Sequence, residues 1–400
     1  MDDFRWTMLG LVALAALRAM RAGGKPRPPG PAAPTREPRW ATLATAMQRP
    51  GDNFLLIRLL AAAAVIYGHS YALCGIPGAA DHIARLGLGH GLYSGSIAVD
   101  VFFVVSGFLV TGAWLRRPDL GFFLWSRALR ILPAYLACLM LSAFLLGPCF
   151  TTLTTGEYLR HPETWRYVVV NLQLSTDLRW SLPGVFHTNP HPDTLNGSIW
   201  TLPVEARMYA WLALFGLLGL LERRERCLLA LIALAAMAYA KNPLPMLPLD
   251  DFVRLAGFFA LGSLAWQWRE RIPFHGAIAP SLLLLSVVLR QHALFAPLFA
   301  LALAYAVLWF AYVPKGLLGF NRLGDYSYGV YLWGFPLQQA VAQALPSPTP
   351  TLITLCSLPL ALTLGVLSWH LLEHPLLRLK RPRRPDAATT MPPLSAHTAT

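Results

Sequence analysis

Apolar runs of roughly 18–22 residues recur along this chain, the length a helix needs to cross a bilayer core of about 30 Å. They fall at 54–74, 97–115, 129–148, 199–221, 227–240, 252–268, 277–289, 293–313, 327–345 and 351–373. Only 13% of the residues are charged, about half the share of a soluble domain, and mean hydropathy is +0.47. The expected architecture is all-α: one polytopic membrane domain with about ten transmembrane helices.

Lys and Arg in the connecting loops set the orientation. One set of loops holds Arg116, Arg117, Arg127, Arg223, Arg224, Arg226, Arg269, Arg271, Lys315 and Arg322, and the tail adds Arg378, Lys380, Arg381, Arg383 and Arg384. The alternate short loops hold little beyond Arg85, Lys241 and Arg290. Both termini are therefore expected in the cytoplasm, as an even number of spans requires. Residues 1–50 read as a basic, Pro-rich segment outside the core, 51–378 as the transmembrane domain and 379–400 as a disordered tail. The run 165–174 is apolar but too short to cross.

The net charge of +13 does not form a basic face with interleaved aromatics, so nucleic acid is excluded as a partner; the partner expected is membrane lipid. The basic clusters sit where cytoplasmic anchors belong. Five cysteines show no CxxC and no Cys/His spacing suited to zinc, so no metal site is expected. Cys74 and Cys149 fall on the same outer side, which leaves a disulfide open. Nothing in the sequence fixes the oligomeric state.

Two titratable residues lie inside the first span. Eleven residues separate Arg58 from His69, about three whole turns, so both point the same way roughly 16 Å apart. An intramembrane charge costs at least a few kcal/mol and marks a site or pathway; snorkelling of Arg58 and a neutral hydrogen bond at His69 are the bland alternatives. Read outward to inward, the second span places Asp100 level with His69. Glu205, about two turns into the fourth span, is expected in the same layer. Imidazole and carboxylates together suit general base chemistry. A helix-start carboxylate at Asp100 and a Glu205–Arg207 salt bridge compete with that reading, and Ser106-Gly107 reads as close helix packing. Near the inner surface Arg127 and Arg130 share a face, and their forked donors match phosphate oxygens. This layout fits moving a phosphate-tagged group from a cytoplasmic donor to an outer acceptor. It equally fits a transporter whose Arg58 and His69 line a substrate or proton path, and a structural membrane protein stays open.

Six segments, in order, add to these residues: the R-x10-H pair Arg58/His69, VDVFFVVSGFLV at 99–110, RALRILPAY at 127–135, GSIWTLPVEARMY at 197–209, GDYSYGVYLWGFPLQQ at 324–339 and LEHP at 372–375. Together they resemble the acyltransferase-3 family of integral-membrane O-acyltransferases over residues 53–378. The resemblance implies transfer of an acyl group, commonly acetyl, from cytoplasmic acyl-CoA to a hydroxyl of an extracytoplasmic glycan, at the bacterial inner membrane. It implies catalysis at His69 and an essential supporting or donor-handling role for Arg58, and the glutamate of the family's WSLxxE-like motif falls on Glu205. Coenzyme A phosphates would be the ligands of Arg127 and Arg130. His69 would act as general base or as acyl carrier, with Asp100 or Glu205 orienting its ring as the third member of a triad does.

Two features depart from the family pattern. Gly334 stands after Tyr331-Leu332-Trp333 where many members carry a histidine. No soluble partner domain follows the tenth span, so any further acyl relay is expected to need another protein. The acceptor glycan and the acyl chain length are not legible.

Overall fold

The computed structural model describes residues 41–88, 91–239, 250–313, 320 and 323–380. A helix stands at each of the ten expected segments: α1 Phe54–Leu73, α2 Ser94–Arg116, α3 from Leu120, α4 Thr201–Leu217, α5 Arg224–Tyr239, α6 Asp250–Trp268, α7 Ile278–Val288, α8 Phe295–Tyr312, α9 Ser327–Ala344 and α10 from Pro350. The described residues contain no strand, only two isolated bridges. Five of the helices, α1, α2, α3, α8 and α10, are long and apolar enough to cross a membrane. Helices α4, α5 and α7 have 17, 16 and 11 residues. Most of the N-terminal segment and the tail beyond Lys380 lie outside the described residues.

Local chemistry sets where the helices begin and bend. Asp119 caps α3 by accepting the Phe122 amide at 2.9 Å, which starts this helix nine residues before the expected span and draws Arg127 into it. A π turn at Ser142–Leu146 carries α3 on to Phe150, and the Tyr158 hydroxyl donates to the Ala143 carbonyl at 2.7 Å within that turn. Such turns free carbonyls from the α ladder, and here a tyrosine of the following segment takes one. Helix α10 runs likewise through a π turn to Leu377.

Packing between helices rests on small residues. A Cβ on Gly107 would lie 2.0 Å from the Phe259 carbonyl oxygen, and one on Gly262 2.2 Å from that of Val104. Helices α2 and α6 therefore touch backbone to backbone, the geometry small residues permit where apolar burial does not drive helices together. Thr111 donates to Ser263 at 2.9 Å across the same seam. Gly334 gives room instead to a side chain of α1, since a Cβ there would come 2.7 Å from the Ile66 side chain. Residues 41–50 are not wholly outside the bundle: Leu43 and Ala46 are buried, and the Leu43 amide donates to the Ile272 carbonyl at 2.9 Å.

The segment 151–200 folds onto the end of the bundle that carries His69. It contains two short helices, Thr155–Arg160 and Pro162–Leu172, and the second coincides with the run read as too short to cross. Asn171 ties it internally by accepting the Arg179 amide and donating to the Arg179 carbonyl. Gln339 on α9 donates to the His191 and Thr194 carbonyls at 2.8 and 2.6 Å, and Asn196 donates to the Leu332 carbonyl at 3.0 Å. The last bond is made in the interior of α9. The chain before α4 thus dips into the bundle, and α4 starts well below the end of its neighbours.

Candidate active site

Two polar cavities lie one above the other inside the bundle. The first, about 50 Å³, is lined by Arg58, Ser106, Thr201, Glu205 and Tyr328 together with Val99, Phe102, Phe103, Leu202 and Tyr331. The second, about 240 Å³, is lined by His69, Tyr93, Ser96, Trp200, Asp251 and Arg254, again with Val99 and Tyr331. Arg58 and His69 are therefore presented by one helix to two chambers that share a wall. Three other cavities, of about 140, 340 and 430 Å³, are lined almost wholly by apolar side chains and hold no acid, base or histidine.

The Arg58 end is a closed charge network. Arg58 donates to Asp325 Oδ2 at 2.6 Å, and Arg130 donates to the same oxygen at 2.7 Å. The other arm of Arg130 donates to Glu373 Oε2 at 2.8 Å. Ser327 donates to Asp325 and Ser368 to Glu373, at 2.6 and 2.9 Å. Two guanidiniums thus face two carboxylates, and every carboxylate oxygen has a donor, as buried charges require. Arg130, expected to hold donor phosphate, is already engaged by carboxylates. Arg127 is not: its guanidinium lies over the Tyr209 ring at 5.6 Å, and its Nε is buried without a partner. Lys380 sits beside both arginines, where burial and their like charge lower its pKa.

Glu205 belongs to this end and not to the layer of His69. The Tyr209 hydroxyl donates to it, and Arg207 instead donates to the Pro203 and Leu174 carbonyls at 3.0 and 3.4 Å. The reason is the inward dip before α4, which lowers the whole WTLPVE segment relative to a helix counted from the membrane edge. The competing reading, a Glu205–Arg207 salt bridge, is not formed.

At the other end, the His69 and Phe335 rings meet edge-on at 5.3 Å, and His191 from the segment 151–200 meets the same phenylalanine at 6.2 Å. His69 Nδ1 is buried without a hydrogen-bond partner. Asp100, also buried, is held by Arg254, whose Nε lies 3.7 Å from Asp251. Neither Asp100 nor Glu205 bonds the imidazole, so the triad-like arrangement expected from the sequence is not present among the described residues. Asp100 touches the His69 chamber through Arg254 instead.

Arg254, Asp325, Tyr331, His191 and Lys380 are site residues that the sequence alone did not single out. For Arg254 a signal existed, an arginine one turn into an apolar helix. The others come together only through tertiary packing. No group of three His, Cys, Asp or Glu residues suited to a metal ion occurs among the described residues, and the five cysteines are free.

Comparison with known proteins gives the chain a family. Residues 53–370 match a family model described as an acyltransferase domain. A protein of Shigella phage Sf6 named as an O-acetyl transferase is 27% identical over 351 residues, covering 82% of this chain and 96% of the phage protein. No solved structure matches the chain.

Proposed function

The chain belongs to the acyltransferase-3 family and is an acyltransferase, and from that premise we propose that it is a membrane O-acetyltransferase, moving an acetyl group from cytoplasmic acetyl-CoA to a hydroxyl of a glycan across the bacterial inner membrane. The observation that carries this reading is the pair of stacked polar cavities, one holding Arg58 and Glu205 and the other His69. The Lys/Arg-rich loops support an Arg58 end that faces the cytoplasm, and the name of the phage relative supports acetyl as the group moved.

On this reading the donor approaches from the end that carries Arg127, Arg130 and Lys380. Arg130 has its donors committed to Asp325 and Glu373, so Arg127 and Lys380 meet the phosphates of coenzyme A most directly. The thioester enters the chamber of Arg58 and Glu205, with its carbonyl turned towards the shared wall. The acceptor hydroxyl enters the chamber of His69, where Trp200 and Tyr93 give a sugar ring flat surfaces to lie against. The hydroxyl oxygen attacks the thioester carbonyl, a C–O bond forms and the C–S bond breaks. His69 either takes the hydroxyl proton or carries the acetyl between the two chambers. The absence of a partner on Nδ1 suits both routes, because nothing fixes the tautomer before substrate arrives. Asp100 acts by holding Arg254 at the edge of the acceptor chamber.

Mass spectrometry of cell-surface glycans tests the reading. A deletion strain is expected to lack an acetyl ester that wild type restores and His69→Ala does not. Full restoration by His69→Ala would overturn it. A labelled acetyl adduct on His69, trapped without acceptor, separates the carrier route from the base route.

A further inference from the structure

Transfer across a bilayer leaves a proton on the wrong side. The reaction R–OH + CH₃CO–S–CoA → R–O–COCH₃ + HS–CoA breaks an O–H bond in the acceptor chamber and forms an S–H bond in the donor chamber. If each proton is exchanged with the nearer aqueous phase, one positive charge crosses the membrane per acetyl moved. If the proton passes through the protein, none does.

Of the described residues, two line both chambers, Val99 and Tyr331. Valine cannot carry a proton. The Tyr331 hydroxyl is buried in the wall, bonded to Thr201 Oγ1 at 2.7 Å and donating to the Ser198 carbonyl at 2.8 Å. Thr201 opens helix α4 and lines the donor chamber, with Glu205 one turn further on the same face. Tyr331 itself faces the chamber of His69. Each cavity exceeds the roughly 10–15 Å³ that one water molecule needs, so water can link His69 to Tyr331 on one side and Thr201 to Glu205 on the other. Elsewhere the partition is apolar, with Phe102 against the Tyr331 ring at 5.6 Å.

We propose that the bonded hydroxyls of Tyr331 and Thr201 are a proton relay that returns the acceptor's proton to the leaving thiolate, making each transfer electroneutral. This rests on the functional reading above. His69 receives the proton from the acceptor hydroxyl and passes it through water to Tyr331. The Tyr331 proton moves to Thr201, and that of Thr201 moves through water to Glu205 and on to sulfur. In the resting arrangement Tyr331 donates to Ser198, which leaves Thr201 donating to Tyr331. The Ser198 carbonyl also lies 3.4 Å from Thr201 Oγ1 as a second, longer acceptor, and rotation of the two hydroxyls reverses the chain for transfer. Tyr331 and Thr201 conduct the proton here and form no bond to the carbon that is transferred.

Inside-out membrane vesicles test the relay, since they expose the cytoplasmic face and keep the cell's own glycans in the lumen. With respiration blocked, labelled acetyl-CoA is added outside and an impermeant pH dye is enclosed; His69→Ala vesicles give the background. Wild type is expected to move acetyl without acidifying the lumen, at a rate indifferent to an imposed potassium–valinomycin potential. Tyr331→Phe is expected to lose about 100-fold in kcat, the scale of a lost proton-transfer group, with KM for acetyl-CoA unchanged and residual turnover that acidifies the lumen and depends on potential. Thr201→Val behaves similarly, and Thr201→Ser recovers most of the loss. Wild type that transfers acetyl and releases one proton per acetyl into the lumen overturns the relay alone. Wild type that transfers no acetyl from acetyl-CoA overturns the functional reading and the relay with it. The decisive measurement is on wild type, so the relay stands or falls even where a variant fails to fold.

Discussion

The two ends of the site treat charge in opposite ways. At the Arg58 end, two guanidiniums and two carboxylates neutralise one another, and Ser327 and Ser368 complete the shell. At the His69 end the imidazole has a buried nitrogen with no partner, while Arg254 is drawn between Asp100 and Asp251. A buried ion network with every carboxylate oxygen answered is costly to break but adds little net stability over apolar packing. An unanswered buried nitrogen is a cost that native structures rarely keep without use. The Arg58 end therefore reads as a scaffold that holds cations inside a bundle, and the His69 end as the part left open for chemistry.

That contrast breaks most sharply at His69. His69→Ala removes a ring that makes one edge contact and no hydrogen bond through Nδ1, so its cost should fall on rate. Activity is expected to drop by about 10³-fold or more, with the thermal midpoint in detergent little moved. A large fall in midpoint with retained activity would assign His69 to the scaffold instead. Asp325→Asn should do the reverse. It leaves Arg58 and Arg130 without their shared carboxylate, and removing one partner of a buried pair costs about 3–5 kcal/mol. Thermal unfolding is expected to show the loss even where no substrate is present. An Asn variant as stable as wild type would mean that the network is wet and dispensable.

What the sequence made legible was what a single helix determines. The spacing of Arg58 and His69 on α1 is local geometry, and their separation into two depths follows directly from rise per residue. The positions of the helices were legible for the same reason, because apolar length is a property of one segment. Glu205 was misplaced because its depth depends on the chain before it, which enters the bundle through Asn196 bonded to the Leu332 carbonyl. Asp100 lay level with His69 in sequence, yet its partner arrives on α6, brought within reach by Gly107 and Gly262 at the α2–α6 seam. Arg130 matched a phosphate-binding pattern, and only the meeting of α3, α9 and α10 reveals that Asp325 and Glu373 already fill its fork. Residue types were readable one helix at a time; which charge answers which was not.

The smallest expected effect separates cations fixed in the network from one that can titrate. Arg130 stays charged at any working pH, whereas Lys380 has its pKa lowered by burial and by Arg127 and Arg130. A lowered lysine loses its proton before the ordinary range near 10.4, and an anionic phosphate binds the charged form. KM for acetyl-CoA should therefore be lowest near neutrality and rise on the alkaline side, as Lys380 discharges. Lys380→Gln is expected to raise KM roughly fivefold at neutral pH, the scale of one solvent-screened ion pair, and to flatten that alkaline rise while kcat moves little. Lys380→Arg should keep the low KM and push the rise to higher pH. If all three forms share one alkaline limb, the cation that meets the donor is not Lys380, and Arg127 carries the phosphate contact without it.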